Sequence, residues 1–420
     1  MTIKYRSAVH LAHLHMRTYL GINQNTESGP TVMKRSTDRI QTTHVGSIPR
    51  PDTLVDFMIA EDKGEVFDEA ALETALTEAV NDVVAHQKDL GIDTVSDGEF
   101  SKRGFAVYAH ERLAGLEETG RARPSPWAAS RESEAFPEFY APEQAAKDRK
   151  PTQSTMQMSC TGPISYKGQT ELARDIANLR AACDAHGVDG FMPAISPCDV
   201  VGNQVNEFYA TEDEFLYAVA DALNVEYRAI VDAGFDLQID DPRLINYYVK
   251  SPRLSVQDCR TWAEHQIEAI NHALAGIPED RVRYHTCYGI NMGPRVHDME
   301  MKDYLDIILK IRAGSYSFEA ANPRHEHEWK LWETVKLPDG KSIIPGVVTN
   351  SSVLVEHPEL VAQRIERFAS VVGKENVIAG ADCGFGTQAS TTPEVHPTIV
   401  WAKFEAISDG AKIASERLWT

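Results

Sequence analysis

The sequence predicts an α/β protein built as a (β/α)8 barrel, with insertions after strands 2 and 3. Three observations carry this. From residue 39 onward, short strand-like runs alternate with helical stretches, and alternating β and α builds a parallel sheet. Eight such runs spread over about 380 residues suit a barrel better than an open sheet. Polar residues gather at the C-terminal ends of the runs: Ser47, Glu99, Asp240, His285, Cys287, Glu319 and Cys383. In a barrel those ends converge on one mouth.

Taken in order, residues 41–47 are the first run, closed by Ile48-Pro49. Asp68 can cap a helix whose apolar positions Leu72, Leu76, Val80 and Val83 step by four and three, and Gly91 suits its end. Residues 93–99 are the second run and finish in Asp-Gly-Glu. Residues 155–161, stopped by Gly162-Pro163, are the third. Thr211 and Glu214 form a capping-box pattern that opens a helix carrying Phe215, Ala218, Ala222, Val225 and Ala229. Residues 235–240, 282–287, 315–319, 343–348 and 376–383 supply the remaining five runs. Pro358 begins a helix with Val361, Ile365, Phe368 and Val372 between the last two. The stretch 117–153, charged and proline-bearing, reads as a lid-like insertion over the mouth or a dimer contact. Residues 190–209 read as a second extension. The domain layout is therefore an extension over 1–35 and one barrel over 36–420.

Composition narrows the function classes. The 420 residues are 42% hydrophobic and 25% charged, as in ordinary globular proteins. The net charge of −20 argues against nucleic acid as a partner, since a basic face is needed to neutralise phosphates. No apolar run approaches the eighteen or so residues of a membrane-spanning helix, so no membrane partner is expected. Six cysteines without a Cys-x-x-Cys pair are not a disulfide framework and point to a reducing, cytoplasmic compartment. No acidic residue precedes Glu27, which is the composition of a mitochondrial transit peptide or simply of an extension upstream of Met33. Nothing in the sequence decides whether the chain forms a homo-oligomer.

His285-Thr286-Cys287 is the sharpest local signal. Residues i and i+2 of a strand point to the same side, so imidazole and thiol can share one ion. Glu319 and Cys383 end later strands at the same mouth, and an N, S, O, S set suits tetrahedral Zn²⁺. Two thiolates and one carboxylate leave such a site at a net −1. That makes a poor Lewis acid for water but a good holder of one more thiolate, whose free pKa is about 8.5. If a substrate thiolate displaces Glu319, the charge is unchanged and the sulfur stays nucleophilic. The chemistry this points to is S-alkylation, in which a zinc-bound thiolate attacks an electrophilic carbon.

Eight motifs in fixed order resemble the catalytic domain of the cobalamin-independent methionine synthase family. They are Thr42-Thr43-His44-Val45-Gly46-Ser47, Asp97-Gly98-Glu99-Phe100, Thr161-Gly162-Pro163, Gln238-Ile239-Asp240-Asp241-Pro242, His285-Thr286-Cys287-Tyr288, Phe318-Glu319-Ala320, Pro345-Gly346-Val347 and Asp382-Cys383-Gly384. The resemblance runs from Arg39 nearly to the C-terminus. It looks closest to the single-domain "methionine synthase II" branch, which includes the epoxyalkane:coenzyme M transferases. It implies a TIM barrel, zinc on His285, Cys287, Glu319 and Cys383, and an amino-acid site at Gly46, Ser47, Glu99 and Asp240.

The departures matter as much. The family's Tyr-Asp-Ile-His after the strand-seven Pro-Gly-Val is replaced by Val348-Thr349-Asn350-Ser351, so its catalytic histidine aligns with Ser351. The Cys-Trp pair on the folate side is replaced by Ile164-Ser165-Tyr166. His44 and His325 are then the candidate replacement acids, since a histidine titrates near neutrality. Cys160, Cys183, Cys198 and Cys259 read as structural. The leading expectation is a zinc-dependent thiol alkyl- or methyltransferase of the epoxyalkane:coenzyme M transferase-like type. It would act on a small-molecule thiol and an alkyl or methyl donor. A 5-methyltetrahydropteroyltriglutamate–homocysteine methyltransferase is the alternative, and a non-catalytic zinc- or thiol-binding barrel is the alternative of another class.

Overall fold

The computed structural model describes residues 35–122, 127–141, 156–289 and 292–420. The expected N-terminal extension lies outside the described residues apart from Arg35, as do parts of the expected lid. The strands are β1 Gln41–Thr42, β2 Thr94–Val95, β3 Leu113–Ala122, β4 Met156–Tyr166, β5 Asp189–Ile195, β6 Val205–Asn206, β7 Asp236–Asp240, β8 Val282–Thr286, β9 Ser315–Phe318, β10 Ser342–Val348 and β11 Ile378–Ala381. Eight of them pair in the order β1-β11-β10-β9-β8-β7-β5-β2, every pair parallel. Where β1 meets β2, Asp93 N donates to Thr42 O at 3.1 Å and Thr43 Oγ1 to Thr94 O at 3.0 Å. These bonds nearly close the sheet into the expected TIM barrel.

The helices form the surrounding layer for the reasons their sequences suggest. Asp68 accepts from Ala70 N and Ala71 N at the start of the helix Glu69–Asp89, which buries Leu76, Val80, Val83 and Val84. Gly91 ends that turn at φ 85°, and a Cβ there would lie 2.3 Å from Ser408 Oγ. Thr211 caps Glu212–Asp232 by accepting from Glu214 N, and that helix turns Phe215, Val219, Leu223 and Ile230 inward.

The third barrel strand differs from the expectation. Of the expected run 155–161, the described residues 156–161 do form a strand, as part of β4. It pairs antiparallel with β3 in a separate three-stranded sheet, β3-β4-β6, rather than joining the barrel. Barrel strand three is β5, from the stretch read as an extension. Every residue of β5 after Asp189 is buried, so it shows no alternation, and Gly190 and Pro193 disguise it. Pro193 is tolerated because it lies past the last β2–β5 pair, Val95↔Gly190, so on that side the ladder has already ended. The insertion after barrel strand two thus begins with the β3–β4 hairpin, and Pro197–Asn203 with β6 forms the insertion after strand three.

The described part of the first insertion packs onto the helix Arg243–Lys250 and onto the loop holding Arg295 and His297, which follow β7 and β8. Arg131 Nε donates to Tyr248 O at 3.0 Å, and its guanidinium lies over the Tyr248 ring. The buried Glu132 carboxylate accepts from Arg295 N at 3.1 Å and His297 N at 2.7 Å. No helix among the described residues is long and apolar enough to cross a membrane.

Candidate active site

Ser47, Glu99, Asp240, His285, Cys287 and Cys383 line one cavity of ≈ 120 Å³ at the C-terminal end of the barrel, joined by Val45, Phe105, Gly384 and Thr387. Six of the sequence-derived positions therefore converge, as strand-end residues of a barrel should.

His285, Cys287 and Cys383 offer ligand atoms all within 4.8 Å of one another, and all three residues are buried. The two Sγ atoms are 3.1 Å apart. The hydrogen bond from Cys383, with burial second, pushes the Cys287 thiol well above its ordinary pKa when no ion is bound. Burial, with Arg283 second, pushes His285 down to about 3 and keeps the imidazole neutral, the form that binds metals. Its Nδ1 pairs with Ser317 Oγ at 3.0 Å, while Nε2 is a buried ring nitrogen without a hydrogen-bond partner. An orphaned, neutral nitrogen beside two thiols fits a soft or borderline metal such as zinc.

Glu319, the expected fourth ligand, is not part of that trio. Its Oε1 accepts from Tyr288 N at 2.8 Å, and its Oε2 accepts from Arg295 Nη2 and Asn322 Nδ2, each at 2.8 Å.

Two acidic residues, Glu99 and Asp240, line the same cavity. Glu99 has φ 59°, a left-handed conformation rarely taken by a non-glycine, and it follows Gly98 at φ 69°. The turn is held by Arg50, whose Nη2 donates to Glu99 O at 2.9 Å. Asp240 accepts from Gln238 Nε2 at 2.8 Å. Burial first, then the charge of Glu99, pushes its carboxyl well above the usual range. Burial likewise raises Asp97, which accepts from Glu99 N, to about 6. Gly46 stands directly behind Glu99: a Cβ there would lie 2.5 Å from Pro193 Cγ and 3.1 Å from Glu99 Oε1. Gly384 makes the same kind of room for Ser47, whose Oγ would be 2.0 Å from an added Cβ.

Two candidate acids need correcting. His44 does not line the cavity. Its Nε2 faces Gln87 Oε1 at 2.7 Å, its Nδ1 accepts from Gly46 N at 3.2 Å, and burial pushes its pKa down to about 3. It is a neutral packing residue that fixes the Gly46 turn. His325 is absent from the cavity wall as well. Its Nδ1 bonds Glu328 at 2.8 Å, its Nε2 faces Asp298 at 3.3 Å, and its ring stacks on Tyr288. With both nitrogens held by carboxylates, it has no free proton to give a substrate. Ser351 stands just beyond β10, half-buried, its hydroxyl 2.8 Å from Thr349 Oγ1.

Sequence reasoning missed Arg295, Asn322, Ser317 and Gln238. Asn322 lies three residues past Glu319 and Gln238 two before Asp240, so local spacing could have flagged both. Arg295 lies in a loop with no periodic pattern to mark it.

The chain matches known proteins over most of its length. The cobalamin-independent synthase catalytic domain matches residues 40–168 and 203–401, leaving out the segment that holds β5. A methionine synthase from Sulfolobus acidocaldarius is 26% identical over 82% of this chain and 85% of its own. A methionine synthase from Saccharolobus islandicus is 24% identical over 90% of this chain and 96% of its own. Among solved structures, a B12-independent methionine synthase from Shewanella sp. W3-18-1 shares the fold, with a TM-score of 0.67 at 20% identity over 90% of this chain and 99% of its own. The barrel, the strand-end site and the span of the domain match agree, and the chain belongs to the cobalamin-independent synthase catalytic-domain family, the methionine-synthase-like methyltransferases.

Proposed function

We propose that the protein is a zinc-dependent S-methyltransferase or S-alkyltransferase whose acceptor is a small amino thiol of the homocysteine type. The observation that carries the acceptor class is the pairing of Glu99 and Asp240 in one cavity with His285, Cys287 and Cys383. Two carboxylates in a buried site suit an ammonium group, which lets both ionise at once. The same pair would repel a sulfonate-bearing thiol such as coenzyme M. This weighs against the epoxyalkane:coenzyme M reading and toward the acceptor of the methionine synthases.

Zinc held by His285, Cys287 and Cys383, with Glu319 as the fourth ligand the resemblance implies, would supply a thiolate from the acceptor's thiol at neutral pH. The residues of the chain do the rest. Glu99 and Asp240 hold the ammonium and so fix where the sulfur lies. Ser47 adds a polar group to the cavity lining, and Val45, Phe105 and Pro242 add apolar ones. In the transfer, the acceptor's S–H proton leaves, an S–C bond forms, and the donor's carbon–leaving-group bond breaks. A thiol alkylated by an epoxide remains the second reading, favoured by the Ser351 hydroxyl where the family carries an acid.

The deciding experiment incubates the metal-loaded protein with homocysteine, its des-amino analogue and coenzyme M, each with a panel of methyl donors and epoxides, and identifies thioether products by mass. Preference for homocysteine over the des-amino thiol supports the reading. Equal use of all three thiols would overturn the role given to Glu99 and Asp240.

A further inference from the structure

We propose that Arg295 is a positioning residue for ligand exchange at the metal. With Asn322 Nδ2 and Tyr288 N it forms a cradle that receives the Glu319 carboxylate when the acceptor thiol takes its place. The inference rests on the zinc reading above and adds residues to it.

Three donors converge on one carboxylate. Tyr288 N meets Oε1, and Arg295 Nη2 and Asn322 Nδ2 both meet Oε2, all at 2.8 Å. The cradle is stiff. Arg295 Nε is tied to Asp298 Oδ2 at 2.8 Å, and its guanidinium lies 5.2 Å from the centre of the Tyr288 ring. Its backbone takes φ 56°, a conformation that persists only where surroundings enforce it. The enforcing group is Glu132 of the first insertion, a buried carboxylate bonded to Arg295 N and His297 N. An element outside the barrel therefore sets the guanidinium that faces Glu319.

The charges explain why such a cradle is needed. Two thiolates and a neutral imidazole balance a divalent ion. A carboxylate or an acceptor thiolate as fourth ligand brings the set to −1 in either case. Were a thiol to enter, its proton would pass to solvent and Glu319 would give up the place the resemblance assigns it, so the ligand count and charge would be conserved. The released carboxylate stays buried beside an anionic site, which is costly without a cation. Arg295 supplies that cation at 2.8 Å. Without it, the carboxylate's best partner is the metal, so exchange is opposed.

The test uses the full-length protein, Arg295→Met and Arg295→Lys. It measures zinc affinity by competition with a chromogenic chelator, and the number of sulfur neighbours at the zinc X-ray edge during titration with homocysteine. Wild type should go from two sulfurs to three. Arg295→Met should hold zinc more tightly, yet need about 10- to 100-fold more homocysteine to reach three sulfurs, the scale of outer-shell effects on metal sites. Arg295→Lys keeps the buried charge, and with it the fold, but an ammonium cannot serve Glu319 and Asp298 together, so its homocysteine requirement should fall between. A merely structural ion pair would weaken both affinities or neither. Wild-type zinc and homocysteine affinities in Arg295→Lys, and in Arg295→Met where it folds, would overturn the proposal while leaving the zinc site standing. A wild-type protein that binds no zinc would overturn both.

Discussion

Cys287 and Cys383 stand 96 residues apart in sequence, and their Sγ atoms meet at 3.1 Å. One follows β8 and the other follows β11, so the barrel's closure rather than any local motif creates the contact. Two thiols this close, with the orphaned Nε2 of His285 beside them, are a poor arrangement for an apolar core and a good one for an ion.

The first prediction concerns that ion. The purified protein should carry about one zinc per chain, and Cys287→Ser or Cys383→Ser should lose most of it, because a hydroxyl is a far weaker ligand than a thiolate. A chelator should abolish transfer while circular dichroism and thermal melting show the barrel still folded, since its hydrophobic core does not depend on one ion. Plasma mass spectrometry showing full metal in both variants would remove these cysteines from the site.

The second concerns the acidic wall. Burial, then the charge of Glu99, pushes the Asp240 carboxyl well above the usual range, and an ammonium between the two carboxylates should favour its ionised form. Homocysteine binding should therefore release more protons than binding of its des-amino analogue, and the excess should shrink as pH rises above the Asp240 pKa. Asp240→Asn should remove the excess and weaken homocysteine about 10- to 100-fold, the scale of a lost charge-assisted hydrogen bond. Calorimetry in buffers of different ionisation enthalpy reads both. An unchanged proton count in Asp240→Asn would be a clear failure.

What the sequence could and could not tell follows from the physics of strands. The i, i+2 rule placed His285 and Cys287 on one side, and strand ends gathered Glu99, Asp240 and Cys383. His44 lies past the end of β1, where the strand rule no longer applies: Val45 and Ser47 line the cavity while its imidazole faces Gln87. His325 failed for another reason. Nearness to Glu319 in sequence carries no information about Asp298 and Glu328, which meet the imidazole only in the fold. β5 was hidden because a strand buried on both faces has no period, and β4 was misplaced because a strand's pattern does not name its partner.

The third prediction turns on His325. Burial opposes its charge, but hydrogen bonds to Asp298 and Glu328 and the charges of Glu328 and Glu319 prevail and push it up to about 9. Unfolded, it titrates near 6.5. The stability it contributes is therefore complete below about pH 6.5 and is lost as pH rises through about 9, on the order of 3 kcal/mol at most. Denaturant melts of wild type and His325→Gln should converge between pH 7 and pH 9.5. A stability gap between them that holds constant across that range would show that the imidazole is not held as a cation.

The last prediction concerns the donor. The leaving nitrogen of a methyl-folate must be protonated as the methyl departs, because its anion is too poor a leaving group. The resemblance places a histidine for this task where the chain has Ser351, whose hydroxyl is paired with Thr349 Oγ1 at 2.8 Å. A serine hydroxyl is far too weak an acid to replace it, and neither His44 nor His325 reaches the cavity. Transfer from methyl-tetrahydrofolate to homocysteine should therefore be slow. A donor that leaves without a proton, such as a sulfonium, or a strained epoxide that needs only a proton from water, should be used faster. Ser351→His should raise methyl-folate turnover more than sulfonium turnover, since only the first reaction needs the acid. Steady-state assays of both donors with wild type and variant separate the cases. Wild-type turnover of methyl-folate with kcat/KM of about 10⁴ M⁻¹s⁻¹ or more would mean that another group supplies the proton. The raised carboxyl of Asp240, already in the cavity, would then be the first to test.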